Sequence, residues 1–300
     1  MNEFNSYFRN RVVGSDKKSK FDLLMMSVFK TSFKTAPKSD LLFSFISGKL
    51  MKVSREDYLA QLKGTLMLFE REYRELAFVN LDDAVNAIAS AEKALSGTVN
   101  PHLLLVGASG VGRQTTLLLA SLTLKMEVLK LPTVRDFGVR EFRKELKMII
   151  ESVVNENKKT ILFLEDHNFS RPEFVEMINS LIISGEIPGL FGQDEIERLP
   201  SADQMKSEEI GRSLQEALAI RVRKNLRVAL SLDPRKESFA EMCASNPALF
   251  TCNIIWVDPP GNQSLRALAA EALTRSLPEF SRESVDQIST LAAETHRGTE

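Results

Sequence analysis

Cysteine is scarce in this chain of 300 residues: Cys243 and Cys252 are the whole complement. Two thiols cannot staple a chain of this length, and they read as reduced thiols of a cytosolic protein. Long apolar runs are missing too. Stretches such as Leu103 to Val106 and Ile161 to Leu164 fall far short of the roughly 18 residues that a membrane span needs. The start, Met1-Asn2-Glu3-Phe4-Asn5, has no apolar signal core, so no membrane is expected among the partners. Charge of one sign is absent as well. Lys and Arg number 39 against 40 Asp and Glu, a net charge of -1, which leaves no basic excess to grip a nucleic-acid backbone. Of the three histidines, His102 starts an expected strand, and His167 and His296 are too isolated for a metal cluster or a catalytic triad. With only 14 Gly and 11 Pro, collagen-like and disordered readings fail.

What is present is helix and strand in alternation. The first forty residues mix Phe, Lys and Ser, and Lys17, Lys18 and Lys20 read as a solvated face. From Asp57 the spacing turns helical, with Leu62, Leu66, Phe69, Tyr73 and Leu76 on one stripe. A second helix is expected from about Asp82, with Val85, Ile88, Ala91 and Leu95 inward, ended by Gly97 before the Asn100-Pro101 turn. Strands are expected at His102 to Val106, Glu127 to Leu131, Thr160 to Leu164, Leu226 to Leu232 and Asn253 to Val257. Helices are expected from Thr115 to Leu124, around Phe142 to Val153, and from Ser170 to Gly185. Ser170-Arg171-Pro172-Glu173 reads as a capping box for the last of these. Pro259-Pro260-Gly261 marks a boundary, beyond which Leu265 to Leu277 and Val285 to Ala293 read as helices of a small appended unit. Continuous apolar strands between helices imply an α/β fold with a parallel five-stranded sheet covered on both faces.

Gly107-Ala108-Ser109-Gly110-Val111-Gly112-Arg113-Gln114 fits G-x-x-x-x-G followed by a cation and a polar residue. It stands between a buried strand and a helix, where successive backbone N–H groups and the helix N-terminus can hold phosphate oxygens. Gly107, Ser109, Gly110, Val111, Gly112, Arg113, Gln114 and Thr115 are therefore the candidate nucleotide-binding residues. Arg113 stands at the usual lysine position, with a larger, planar fork. Gln114 stands where Ser or Thr gives a hydroxyl to Mg²⁺. Thr115 could replace it only if the helix began in a shifted register.

Ile161-Leu162-Phe163-Leu164-Glu165-Asp166 is an apolar strand ending in two carboxylates. In such motifs the first organises the metal shell and the second orients the attacking water, in the usual order Asp then Glu. Here the order is reversed. Asp166 is one methylene shorter, and a misplacement of about 1 Å can cost of order 10²-fold in rate. Glu165 and Asp166 are the candidate catalytic pair, with Glu165 and Thr115 the candidate Mg ligands. On the adjacent strand Asp233, or Ser231 before it, is the candidate sensor of the terminal phosphate. An aspartate there repels phosphate unless a metal or an arginine intervenes. The expectation is a site that holds nucleotide and turns it over slowly or not at all.

These residues resemble the dynein heavy chain family, in the fourth AAA+ module of its motor ring. The resemblance is carried by four stretches. They are His102 to Thr115; Glu176 to Leu181 with Gly185-Glu186-Ile187-Pro188-Gly189-Leu190-Phe191; Arg221 to Leu226; and Ser245-Asn246-Pro247-Ala248-Leu249 with Trp256. It runs from about Glu56 to Asp258. The Glu165-Asp166 order and the Ser-Asn-Pro-Ala-Leu stretch are most like the cytoplasmic dynein 2 subfamily, which drives retrograde intraflagellar transport.

The resemblance implies a P-loop AAA+ three-layer fold. Residues 1–55 would be the end of the preceding module's lid or a linker, 56–260 the large nucleotide-binding domain, and 261–300 part of a small helical lid. The cofactors it implies are ATP or ADP with Mg. The implied partners are neighbouring AAA+ modules of the same heavy chain, and dynein subunits and the microtubule through the full-length chain. The implied location is the cytoplasm and cytoskeleton, in a cilium or flagellum. On this view the chain is a fragment lacking stalk, tail and linker, and is nearly inert alone. The arginine that such a module lends its predecessor is expected just before Asn246-Pro247, where Ala244 and Ser245 stand. Two other readings are kept: a self-standing AAA+ ATPase that remodels protein partners, and a degenerate structural module without nucleotide.

Overall fold

The computed structural model describes residues 8–33, 42–46, 49–72, 81–98, 100–132, 137–277 and 279–298. Near the N-terminus, α1 (Ser15–Phe33) is followed by an antiparallel hairpin, β1 (Leu42–Ile46) and β2 (Lys49–Val53). Then come α2 (Arg55–Glu72) and α3 (Asp82–Ser96). The central part alternates β3 (Leu103–Val106), α4 (Arg113–Leu124), β4 (Glu127–Lys130), α5 (Val139–Glu156), β5 (Thr160–Glu165) and α6 (Pro172–Ser184). Two short helices, α7 (Gln193–Glu197) and α8 (Ala202–Glu208), lead to α9 (Leu214–Asn225) and β6 (Leu226–Leu232). The chain continues through α10 (Glu237–Ser245) and β7 (Asn253–Trp256) to the paired helices α11 (Asn262–Ser276) and α12 (Arg282–Gly298).

β3 to β7 form one sheet in the order β4-β5-β6-β3-β7, and every neighbouring pair is parallel. The apolar strands fill both faces, as their unbroken hydrophobic runs require. Alternate residues divide between two cores. Leu104, Val106, Leu162, Leu164, Val228 and Leu230 meet α5, α6 and α9 on one face. Leu103, Leu105, Ile161, Phe163 and Ala229 meet α3 and α4 on the other. On the first face Phe142 of α5 stacks on Phe174 of α6 at 4.1 Å between ring centroids.

The expected strands are all found, each ending within a residue of its expected limit. α6 starts differently. Its N-cap is Arg171, which makes no side-chain cap bond, and Pro172 takes the first helical positions. Ser170 therefore lies one residue too early to cap, because proline, lacking an N–H, suits the very first turn. Of the stripe expected on α2, Leu62 is buried and Leu66 and Phe69 are half-buried; Tyr73 and Leu76 lie outside the described residues. Lys17 and Lys20 are exposed, as a solvated face requires, but Lys18 pairs with Asp258 at 2.5 Å.

The hairpin was not foreseen. Ser44 Oγ donates to Glu92 Oε1 of α3 at 2.7 Å, and Tyr58 of α2 donates to Glu92 Oε2 at 3.0 Å. Glu92 is fully buried. A carboxylate is tolerated there because donors meet both its oxygens. Burial, with that carboxylate beside it, pushes the Tyr58 phenol far above its ordinary range.

His102 directly precedes β3. It is 5% exposed, and its Nδ1 accepts the Val228 N–H at 3.0 Å. A buried imidazole that must accept stays neutral, and burial, with Arg227 nearby, lowers its pKa from 6.5 to about 4. The unfolded chain therefore binds the extra proton first. Stability should fall as pH drops from about 6.5 to about 4, by at most ~3 kcal/mol, and level off below. His102→Gln, which keeps an acceptor, should flatten that slope in urea unfolding measured across the same range.

Candidate phosphate-binding site

The site forms where β3, β5, β6 and β7 end, at the carboxyl edge of the sheet, the usual place for ligands in open α/β folds. The loop after β3 is fastened on both sides. Gly107 N–H donates to Leu232 O at 3.1 Å, and Val257 N–H donates to Val106 O at 2.7 Å. A side chain at 107 would run into the Val257 carbonyl oxygen, so only glycine lets the loop lie this close. Gly110 and Gly112 have φ of 87° and 92°, a region that L side chains rarely adopt. Gly112 caps α4, and its carbonyl accepts from the Thr116 N–H at 2.9 Å and Oγ1 at 3.0 Å. The result is the turn of backbone amides into a helix N-terminus that suits phosphate.

α4 begins at Arg113, directly after its Gly112 cap. The register is thus the ordinary one. Gln114 is exposed at the second position, and Thr115 follows it, half-buried. Ser109 and Gly110 are exposed at the loop's tip, while Val111, Gly112 and Arg113 are half-buried.

Charged groups close round the loop. Asp166, at the end of β5, accepts the Asp233 N–H on both oxygens, at 3.1 and 3.2 Å. Its Oδ2 lies 3.7 Å from Arg113 Nη1 and 3.8 Å from Lys236 Nζ. Arg113 Nη1 is buried and makes no hydrogen bond. Asp233, 5% exposed, accepts the Ser109 N–H of the loop on Oδ2 at 2.9 Å. Arg235 covers Asp233, with Nε 3.2 Å from Oδ1 and Nη2 3.1 Å from Oδ2, and its N–H donates to Oδ1 at 3.0 Å. That fork holds the Asp233 carboxyl down to about 2, against burial, with the Arg235 and Ser109 N–H groups helping. Glu165 is half-buried, and its N–H donates to Asn168 Oδ1 at 2.8 Å.

The structure thus brings Gly107 to Thr115, Glu165, Asp166 and Asp233 together. Ser231 lies below the edge, beside Glu165 on the neighbouring strand. It is 2% exposed, inside the sheet, so only Asp233 of the two sensor candidates meets the loop. Arg235 and Lys236 were missed, although two cations directly after Asp233-Pro234 at a strand end were a visible signal. Asp233 is therefore not an unscreened charge: an arginine does intervene.

The donor set fits a nucleotide's phosphates. Loop amides, the orphaned Arg113 nitrogen, Arg235 and Lys236 supply donors and positive charge. It offers a metal less. Among the described residues no group of three or more His, Cys, Asp or Glu could hold a metal ion by itself, so magnesium would have to be held largely by the phosphates, as is common for it.

A parallel sheet in this order, with a glycine loop and acidic strand end at its carboxyl edge, defines a P-loop AAA+ module. Residues 76–300 match the family model of the P-loop containing dynein motor region D4, and the chain belongs to that family, the dynein heavy chains. It is 31% identical over 304 residues to cytoplasmic dynein 2 heavy chain 1 of Chlamydomonas reinhardtii, covering 94% of this chain. It is 34% identical over 222 residues to the Tripneustes gratilla protein of the same name, covering 73%. With the Homo sapiens protein of that name it shares 29% over 287 residues, covering 87%. The chain spans only 5–7% of the length of these relatives.

Gly107→Ala should displace the Val257 carbonyl and cost ~1–3 kcal/mol, the usual range for overpacking. A lower melting temperature with the far-ultraviolet circular dichroism unchanged is the expected result. An unshifted melting curve would mean that the loop does not press on β7.

Proposed function

We propose that this chain is a nucleotide-holding AAA+ module of a dynein heavy chain of the cytoplasmic dynein 2 type, regulatory or structural in role, with slow or no hydrolysis of its own. The observation that carries this is the state of Asp166. The carboxylate proposed to orient the attacking water already accepts the Asp233 N–H on both oxygens and faces two cations. A base engaged in this way is poorly placed to take a proton from water. Glu165 must serve the metal with a longer side chain, and Gln114 offers no hydroxyl. ATP or ADP would lie on the Gly107 to Thr115 loop. Mg would sit on the phosphates, with Glu165 as its carboxylate; in the ordinary register of α4, Thr115 follows the hydroxyl position, which Gln114 fills.

In the full-length heavy chain the partners would be the neighbouring AAA+ modules, the other dynein subunits and, through the stalk, the microtubule. Its place would be the cytoplasm and the cilium, in intraflagellar transport by a minus-end-directed motor. Ala244 and Ser245, exposed at the end of α10, offer no arginine to a preceding module's nucleotide. Residues 1–55 are read as lid or linker of that preceding module, 56–260 as the large domain and 261–300 as part of the small lid. The hairpin at 42–53, bonded to α3, goes with the large domain in its packing.

Calorimetric titration with ADP and with ATP tests the reading. Heat of binding is expected with both. At a hundredfold excess over Kd, binding adds about 2.7 kcal/mol of stability and raises the melting temperature by a few degrees. Phosphate release should stay at background. Steady turnover abolished by Asp166→Ala would instead make the chain a self-standing ATPase. No heat and no thermal shift would leave a structural module without nucleotide, a reading that Gln114 and the Asp233 carboxylate on a loop amide favour.

A further inference from the structure

Asp233 stands out in a site otherwise suited to anions. Its Oδ2 receives two donors, the Ser109 N–H at 2.9 Å from the loop and Arg235 Nη2 at 3.1 Å from the solvent side. Oδ1 receives the Arg235 N–H and Nε at 3.0 and 3.2 Å. The Asp233 side chain is 7% exposed while that of Arg235 is 66% exposed. The guanidinium therefore forms the outer wall of the site and the carboxylate fills the space behind it. A phosphate oxygen is the same kind of acceptor as a carboxylate oxygen, so donors that converge on one suit the other. The Asp233 main-chain N–H goes to Asp166 instead. Turning the side chain away from the loop would free the Ser109 and Arg235 N–H groups, while the Asp233 N–H would stay on Asp166.

We propose that Asp233 is a built-in anion occupying the donors of Ser109 and Arg235, and that Arg235 becomes a ligand of the nucleotide's terminal phosphate when nucleotide takes those donors over. This rests on the nucleotide reading above and adds its regulation: Asp233 sets the affinity, and Arg235 selects triphosphate over diphosphate. The exchange balances charge, because Arg235 leaves one anion for another. A carboxylate left beside a triphosphate would weaken it by repulsion. The arginine's planar fork, unlike a lysine ammonium, can hold two oxygens at once. If the Asp233–Arg235 pair did no more than brace the turn after β6, its removal would lower stability and leave nucleotide selection untouched.

The test is calorimetric titration of the whole chain, and of folded Asp233→Asn, Arg235→Ala and Arg235→Lys variants, with ADP and with a non-hydrolysable ATP analogue. Asp233→Asn keeps a carbonyl acceptor but removes the charge, and should tighten the triphosphate analogue about tenfold. Arg235→Ala, at an exposed position, should weaken the analogue about tenfold and ADP by no more than about twofold. Arg235→Lys should fall between wild type and alanine. The inference is overturned if Asp233→Asn leaves the analogue's affinity unchanged or lowers it. It is equally overturned if Arg235→Ala weakens both nucleotides alike, or shifts only the melting temperature. If wild type and Asp233→Asn both bind neither nucleotide, the nucleotide reading falls and this inference with it.

Discussion

The strand β3 lies between β6 and β7, and the loop that leaves it is bonded to both neighbours before it can turn. Gly107 donates to Leu232 on one side, and Val257 donates back to Val106 on the other. No side chain fits at 107 because the Val257 carbonyl occupies its place. Every later feature of the site depends on this confinement. Pressed against β6, the loop presents the Ser109 amide, two residues after Gly107, to Asp233, the residue after Leu232, and α4 starts with Arg113 facing Asp166. A loop standing even an ångström further out would leave these partners too far apart for hydrogen bonds, whose strength falls steeply with distance and angle.

That confinement gathers three carboxylates, Glu165, Asp166 and Asp233, with three cations, Arg113, Arg235 and Lys236. Charges brought together at a half-buried edge lose hydration and must be matched locally. They are matched unevenly. Asp233 is fully engaged, with a carboxyl held down to about 2. Asp166 is shared between an amide and two cations at 3.7 and 3.8 Å. Arg113 Nη1 is left buried without an acceptor. On the function proposed above, positive charge beside carboxylates that already have donors suits holding an anion better than activating water. In the proposed reading this separates retention from turnover without any change in the loop itself.

How far the fold could be read from the residues follows from where each signal is local. Leu103 to Val106 and Thr160 to Leu164 were legible as buried parallel strands because both of their faces meet helices, leaving no polar alternation to confuse the pattern. The loop was legible because its glycines and the cation after them are contiguous in sequence. Glu92 was not, since it sits beside Ala91 on the inward face of α3, and a carboxylate there reads as solvent-facing until Ser44 and Tyr58 arrive from 48 and 34 residues away. The hairpin that brings Ser44 was hidden for the same reason: its partner surface lies on a helix far along the chain. Ser170 misled because a capping-box spacing and a proline first turn compete for one register, and the proline, which cannot donate, takes it. Arg235 was overlooked because its role exists only through Asp233, whose acidic character drew attention to repulsion rather than to the cation two residues on.

The same backbone stretch that closes the loop also opens the helical pair α11 and α12. Val257, against which Gly107 rests, is followed by Asp258, and Asp258 is held by Lys18 of α1 at 2.5 Å, with the Lys18 ammonium also donating to Trp256 O at 3.3 Å. Pro259 and Pro260 then carry the chain into Gly261, the N-cap of α11. Prolines restrict both themselves and the residue before them, so this short connection bends at few places. The loop, the end of β7 and α1 are therefore joined by direct contacts across fewer than five residues of chain. A ligand on the loop can favour one placement of the helical pair only by as much as it binds that placement more tightly. One contact along that path is the one between Gly107 and Val257, where there is no slack of even a single methyl group.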